Sequence, residues 1–413
     1  MKTISKCMLS VCFTAIAGQS QAHELHEWGT FTTVSGSDGV MLAGLQVEEE
    51  YLPYFVGGHQ NLNPRAFKGL MRPVRNVRVK METPVIYFYG DKREKVSVHV
   101  GFNGGTVSQW FPPRTSGDTP PKMVKLRPEE RGKVAPVAFP AINPSAPMAF
   151  PMGGYKAWDF EEEYKGFIHW DTEIIPRNEV DSSKYFRTGE TPNWIYPQVP
   201  HSNIVKVGEV YEQYLFYRGL GNFTLPLTLS VDSAETLSMD FKGSQNIPFA
   251  LAYERVAGKV RYKVFAEGLE MNSHTEISQS NGWTEMDLSP ESNQIIYREM
   301  RDGLMAQGLN QHEADGMVKT WWNSYFGHDG LRVFWVLPEN EVERILPMKV
   351  SPEPEKKVRV IVGRSEVLRP SFEKQLLAQH AAAEEKKQLP HYSGRYYEAY
   401  TERVQALKKV TKK

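Results

Sequence analysis

Beyond residue 22 the chain contains no cysteine; its two, Cys7 and Cys12, both lie in the first dozen residues. This absence removes a cysteine nucleophile, thiolate-held zinc, cysteine-held iron–sulfur clusters and CxxCH haem attachment from the chemistry open to the rest of the chain. It also leaves stability to the packed core, because no disulfide can staple it. Long apolar runs are lacking too. No later window approaches the roughly 20 apolar residues of a membrane-spanning helix, so no transmembrane anchor is expected after the leader. Charge of one sign is absent. With Lys2 and Lys6 set aside, 47 basic residues stand against 49 acidic ones, which points away from nucleic acid or an anionic membrane as main partner. Neither GxxxxGK[ST] nor GxGxxG occurs, which argues against a nucleotide or flavin cofactor.

What is present begins with a leader. Lys2 and Lys6 precede the apolar run CMLSVCFTAIA and small residues ending in SQA, the three-part layout of a cleavable secretory signal over residues 1–22. The expected location is therefore secreted or periplasmic. Cleavage after Ala17 or after Ala22 would leave Gly18 or His23 as the first residue. The remaining 391 residues suffice for two or three units at about 100–200 residues per domain.

From about residue 75 to 107, short β-branched and aromatic runs flank the polar turn GDKRE and predict a β-hairpin. Val96, Val98 and Val100 should share one face and His99 the other. Residues 111–151 carry ten prolines and no sustained period, reading as an extended excursion packed over a surface, such as a lid or strap. Strand signals resume from Trp158 to about Glu267. At Ser289 the period becomes helical, with Ser289 as N-cap, Pro290 at the first helical position, and Ile296, Met300 and Leu304 four apart. Asn310 and Glu313 form a capping-box start for a second helix, whose Ala314, Met317, Val318, Trp321, Trp322 and Tyr325 share a face up to Gly327. Two buried strands, LRVFWVL and VRVIVG, follow. Helices at about 371–387 and 392–410 close the chain. The fold class expected is α+β: a predominantly antiparallel β region of one or two sandwiches over 23–285, then a mixed region over 286–413 with a helix pair, two strands and C-terminal helices.

The first candidate chemistry is HELHEW, with His23, Glu24, His26 and Glu27. Its histidines are three apart, which misses both HExxH and HxxEH. His26 and Glu27 are candidate catalytic groups as an acid/base pair at a strand edge, set against a structural cluster that pins the first strand while Trp28 packs. His23, if terminal, would offer its amine and imidazole to copper beside a second histidine, resembling the histidine brace of copper oxygenases. SGSDG reads as a turn, not a nucleophile elbow, because Ser35 stands where GxSxG needs glycine. The second constellation is IHWDTEII, where alternation puts His169, Asp171 and Glu173 on one strand face. His169 and Asp171 are its catalytic candidates, and a divalent metal is left open; the alternative is an ordinary exposed face. His59, His201 and His328 are further histidines that could join a site. Trp110, Trp158, Trp170, Trp194, Trp283, Trp321 and Trp322 suggest either sugar-stacking platforms or core.

HEWGTFTTVSGSDG, KMETPVIYFY, YLFYRGLGNFTLPL, EADGMVKTWWNSYF and RVIVGRSEVL together resemble an uncharacterised family of secreted bacterial proteins, over about His26 to Leu368. The resemblance implies export and a shared fold, and no substrate. Three functions stay open on sequence alone. One is an enzyme acting on a polysaccharide or another extracytoplasmic polymer. The second is a non-catalytic binding or scaffold protein of the cell envelope. The third is a metal-dependent oxygenase or hydrolase using His23 and His26.

Overall fold

The computed structural model describes residues 23–45, 56–58, 74–118, 123–125, 156–159, 164–181, 199–388, 390, 392 and 396–411. Residues 1–22, expected to be a leader, most of the proline-rich excursion, His59 and Trp194 lie outside the described residues, as does the side chain of Trp158. The fold is α+β with mostly antiparallel sheets. Among the described residues no helix is long and apolar enough to cross a membrane.

The first strand, β1 (Glu24–Ser35), lies at the centre. One edge pairs in parallel along its whole length with Lys356–Val367; the other pairs antiparallel with Val85–Tyr89 and then Val79–Met81. Outward from Lys356–Val367 the sheet continues through Gly330–Val336, Ala250–Val256 and Lys259–Phe265. On the far side, Leu215–Gly221 and Gly105–Phe111 extend it. The two strands expected late in the chain therefore complete the sheet begun by β1. The boundary drawn at residue 285 separates sequence patterns, and the sheet runs across it.

A second layer is built from Met348–Ser351, Glu94–Asn103 and Lys165–Ile175, paired in that order. Their inward residues, among them Val96, Val98, Val100, Ile168 and Trp170, share one buried cluster with Leu25 and Phe31 of β1 and Ile86, Phe88 and Ile361 of its neighbours. This is sandwich packing, with alternate residues of each strand committed to the interior. The opposite face of the first sheet (Trp28, Val85, Tyr87, Phe334, Val360, Val362) packs against helices α1 (Pro290–Ala306) and α2 (Gln311–Phe326). A third cluster joins Val34, Leu42 and Leu45 to the C-terminal helices through Leu376, Tyr396, Tyr400 and Val404.

The expected β-hairpin at GDKRE does not form. Val85–Tyr89 pairs with β1 and Leu215–Gly221, whereas Glu94–Asn103 pairs with Lys165–Ile175 and Met348–Ser351. The turn thus carries the chain from one layer of the sandwich to the other. The burial patterns show why: VIYFY is buried on both faces through its first four residues, as a central strand must be, while EKVSVHV alternates like a strand with one wet face.

Both helix starts hold as read. Ser289 and Ser292 form a reciprocal cap with Pro290 in the first turn of α1, and Asn310 and Glu313 do the same for α2. A short helix, α3 (Glu339–Ile345), stands between the two late strands, where the sequence reading placed none. The last two helices are α4 (Pro370–Glu385) and α5 (Tyr397–Thr411).

Candidate functional site

Alternation along β1 decides the fate of the opening motif. His26 and Trp28 face the helices, whereas Leu25, Glu27 and Phe31 face the sandwich interior. His26 and Glu27 therefore point to opposite sides of the sheet and do not form an acid/base pair, because neighbouring residues of a regular strand cannot share a face.

His26 is buried, and its Nδ1 lies 2.9 Å from Oε2 of Glu313, the residue that caps α2. The same carboxylate accepts hydrogen bonds from the Tyr89 hydroxyl at 2.7 Å and the Asn310 backbone N–H at 2.9 Å. Burial, followed by the charge of Glu313, pushes the Tyr89 phenol far above its ordinary value, so it stays a neutral donor. The buried Nε2 of His26 makes no hydrogen bond and lies 3.6 Å from Glu24. A histidine oriented through Nδ1 by a buried carboxylate has the form of a general base. Here, however, the carboxylate also holds a helix cap, so the cluster ties β1, Val85–Tyr89 and α2 together. His26→Ala is expected to lower unfolding free energy by about 1–3 kcal/mol, the cost of removing one partner from a buried polar network. Denaturant unfolding checks this, and a loss below about 0.5 kcal/mol would remove the pinning role.

Glu27 is fully buried, accepting from the Tyr217 hydroxyl at 2.6 Å and from Arg359 Nε at 2.7 Å. Both carboxylate oxygens are thus engaged inside the sandwich. His23 is also buried, with Nδ1 2.9 Å from Glu94 and its ring against Phe88 of the sandwich core. His23 and His26 thus face opposite sides of the sheet and hold different carboxylates, which is not the arrangement of two rings on one copper ion.

His169 and Asp171 share the outer face of Lys165–Ile175, as alternation requires, with His169 Nε2 3.3 Å from Asp171 Oδ1. The valines of Glu94–Asn103 face inward and His99 outward, so His99 stands directly opposite His169. Beside them runs a shallow groove of about 450 Å³ lined by Lys95, Ser97, Asp171, Glu173, Lys206 and Ser351. No hydrogen bond or ion pair joins His26 to His169 among the described residues, and the two stand in different layers. The four sequence candidates thus occupy three places: a helix cap, a buried ion pair and an open sheet face.

The other histidines are equally dispersed. His201 faces His312 at 5.5 Å between ring centroids, and His328 belongs to the cleft described next. Of the described tryptophan side chains, Trp28, Trp170, Trp321 and Trp335 are core, Trp322 is half-buried against Phe326 at the edge of that core, and Trp110 and Trp283 are half-buried beneath the guanidiniums of Arg114 and Arg261. None stands as an exposed platform.

A feature the sequence reading missed lies where the ends of three neighbouring strands meet α4 and α5. A cleft of about 690 Å³ opens there, between Glu254–Val256, His328–Leu331 and Glu366–Arg369 on one side and Ser371, Phe372, Gln375, Tyr396 and Tyr400 on the other. Its size falls within the range of ligand pockets. Its charges are interlocked. Glu254 binds Arg261 and Arg369, Glu235 accepts from Arg369 at 2.9 Å, Asp329 lies 3.1 Å from Arg255, and Glu366 accepts from Arg332 at 3.1 Å. Burial works against the charge on Arg369, but Glu254 and Glu235 outweigh it and hold its pKa above the ordinary value. Burial works against the Glu235 carboxylate, but the hydrogen bonds from Arg369 and Ser371 outweigh it and hold the carboxyl below its ordinary value. The three carboxylates that line the cleft, Glu254, Asp329 and Glu366, thus each have a guanidinium partner, and its two lining guanidiniums, Arg255 and Arg369, each have a carboxylate. Arg261, Arg332 and Glu235 complete the pairs from outside the lining. The aromatic wall is a chain of edge contacts, Phe372 on Tyr400 and Tyr400 on Tyr396. Four separate stretches of chain, within 254–256, 328–331, 366–375 and 396–400, build this wall and floor, and no short local pattern marks it.

The chain matches no protein-family model and no curated protein.

Proposed function

We propose that this chain is a non-catalytic binding protein of the cell envelope, and that its ligand is a saccharide or similar neutral polyhydroxylated compound held in the cleft between the strand ends and α4/α5. The observation that carries this reading is the cleft's composition, a ligand-sized space whose charges are compensated in pairs. Compensated charges leave little net field to attract an ion, while guanidinium and carboxylate groups held by their mutual ion pairs present directed donors and acceptors for hydroxyl groups. The partly buried Phe372 ring adds an apolar surface of the kind that suits a pyranose face. The dispersal of the acid/base candidates supports binding over catalysis, because catalytic groups must reach one substrate. The leader of residues 1–22 supports the location.

Titration calorimetry of the exported protein against a panel of neutral and charged oligosaccharides tests the proposal. Saturable binding of a neutral glycan is expected. Gln375→Trp, at an exposed position on α4, is expected to weaken it about tenfold or more by filling the cleft, with unfolding unchanged. Absence of saturation by any glycan at millimolar concentration, or full affinity in Gln375→Trp, would overturn it.

A further inference from the structure

The outer face of the second layer carries a pair of histidines that the cleft does not use. His99 and His169 occupy directly opposed positions on antiparallel strands, the closest cross-strand relationship a sheet offers. Their ring centroids are 6.0 Å apart with planes inclined at 47°. Two imidazole nitrogens on one metal at about 2.0–2.1 Å place their ring centroids roughly 4.5 Å apart for a right-angled arrangement and roughly 6.4 Å for a linear one. The observed separation falls inside that interval, toward its open end, and the His99 ring is stacked on Phe167 at 5.3 Å between centroids.

We infer that His99 and His169 form a two-histidine chelate for a divalent transition metal ion of the zinc, nickel and copper group, with water completing the coordination shell. Among the described residues no three histidine, aspartate or glutamate side chains converge as a ready metal centre, and the inferred chelate has two protein ligands only. Asp171, largely exposed and 3.3 Å from His169 Nε2, is placed to accept a hydrogen bond from a metal-bound water. The backbone beneath is held in register by the Thr115 N–H donating to the His169 carbonyl at 2.8 Å and by the Asp171 N–H donating to the Thr115 hydroxyl at 2.8 Å. Neutral imidazole is the ligating form. Partial burial, then the proximity of His169 and Lys349, lowers the pKa of His99 and favours that form at neutral pH. Lys349, exposed and directly opposite His99 on Met348–Ser351, is the one cation in the same row and works against the metal.

Binding of Zn²⁺ and Ni²⁺ to the exported protein is measured by calorimetry, and Cu²⁺ by the nitrogen splitting of its electron-spin spectrum. All variants keep one N-terminus, so that any contribution from a terminal His23 cancels. One ion per chain is expected, with affinity in the order of imidazole-bound divalent ions, Cu²⁺ tightest. His99→Gln or His169→Gln should each weaken it about a hundredfold, Asp171→Asn about tenfold, and Lys349→Ala should tighten it several-fold. His274→Gln should change nothing, since that ring stands elsewhere, beside Asp240 and Glu276. His99 and His169 are only partly exposed and His99 stacks on Phe167, so each variant is compared with its own metal-free unfolding; Zn²⁺ should raise the melting temperature of the parent but not of His99→Gln. Failure of either histidine substitution to weaken binding, or transfer of the loss to His274→Gln, would overturn the inference, as would absence of binding by the parent at submillimolar metal.

Discussion

Glu27→Ala is expected to cost about 3–5 kcal/mol of unfolding free energy, the range for removing one partner of a buried ion pair. The carboxylate lies between two β layers, and its loss leaves the Arg359 guanidinium nearly without water and the Tyr217 hydroxyl without its acceptor. Burial alone would lower the pKa of Arg359, but with Glu27 in place its charge outweighs that burial and holds the guanidinium above the ordinary value. With Glu27 gone the guanidinium still cannot escape by losing its proton, because arginine stays protonated in proteins. It retains one partner, Glu343 at 2.8 Å, which is about a third exposed and therefore screened. This places the expected loss toward the lower end of the range. The double variant Glu27→Leu with Arg359→Met should recover most of the loss, since hydrophobic replacement of a whole buried pair is often neutral. Equilibrium unfolding in urea of both single variants and the double variant gives the coupling. Additive losses would sink the buried-pair account.

The same residue shows how far the sequence could be read. That β1 is a strand, that Glu27 is followed by a packed tryptophan, and that Asn310 and Glu313 cap a helix are local statements, and each is visible in a few adjacent letters. Their partners are not local. His26 meets Glu313 from 287 positions away and Glu27 meets Arg359 from 332. No spacing rule spans such distances, so the sequence assigned His26 and Glu27 a shared role that strand alternation then divided. Gly29 makes the same point. A Cβ there would come within 2.6 Å of the Pro84 backbone, so HEWG and TPVIYFY are fitted to each other, a relation that neither segment announces alone. The missed hairpin has a similar cause, since GDKRE signals that the chain turns but not which strand it will next lie beside. By contrast, α3 had a signal: Pro338 stands immediately before ENEVERI, with Glu339 and Glu341 in its first turn. The cleft had none, because its walls come from strand ends and helices whose local patterns are fully explained by packing.

Glu398 should give the chain a stability that declines as pH rises. It sits in the first turn of α5, where the helix dipole favours a carboxylate, yet it is only 9% exposed. Burial wins, and pushes its carboxyl up to about 8. The sign follows from proton counting. Between the ordinary value near 4.5 and about 8 the folded chain keeps this proton while the unfolded chain has released it, so unfolding free energy falls with pH across that window. The slope approaches about 1.4 kcal/mol per pH unit for a single group, and the accumulated effect at pH 8 is on the order of 4 kcal/mol. Glu398→Gln, which carries a permanently neutral isostere, should therefore match the parent near pH 4.5 and exceed it increasingly toward pH 8. The loop it packs beneath is close, since a Cβ on Gly44 would fall 2.8 Å from the Cβ of Glu398. Hydrogen exchange in α5 and in residues 42–45 should accordingly slow in the variant at pH 8, and a difference between variant and parent that stays constant from pH 5 to 8 would show that this carboxyl titrates at its ordinary value.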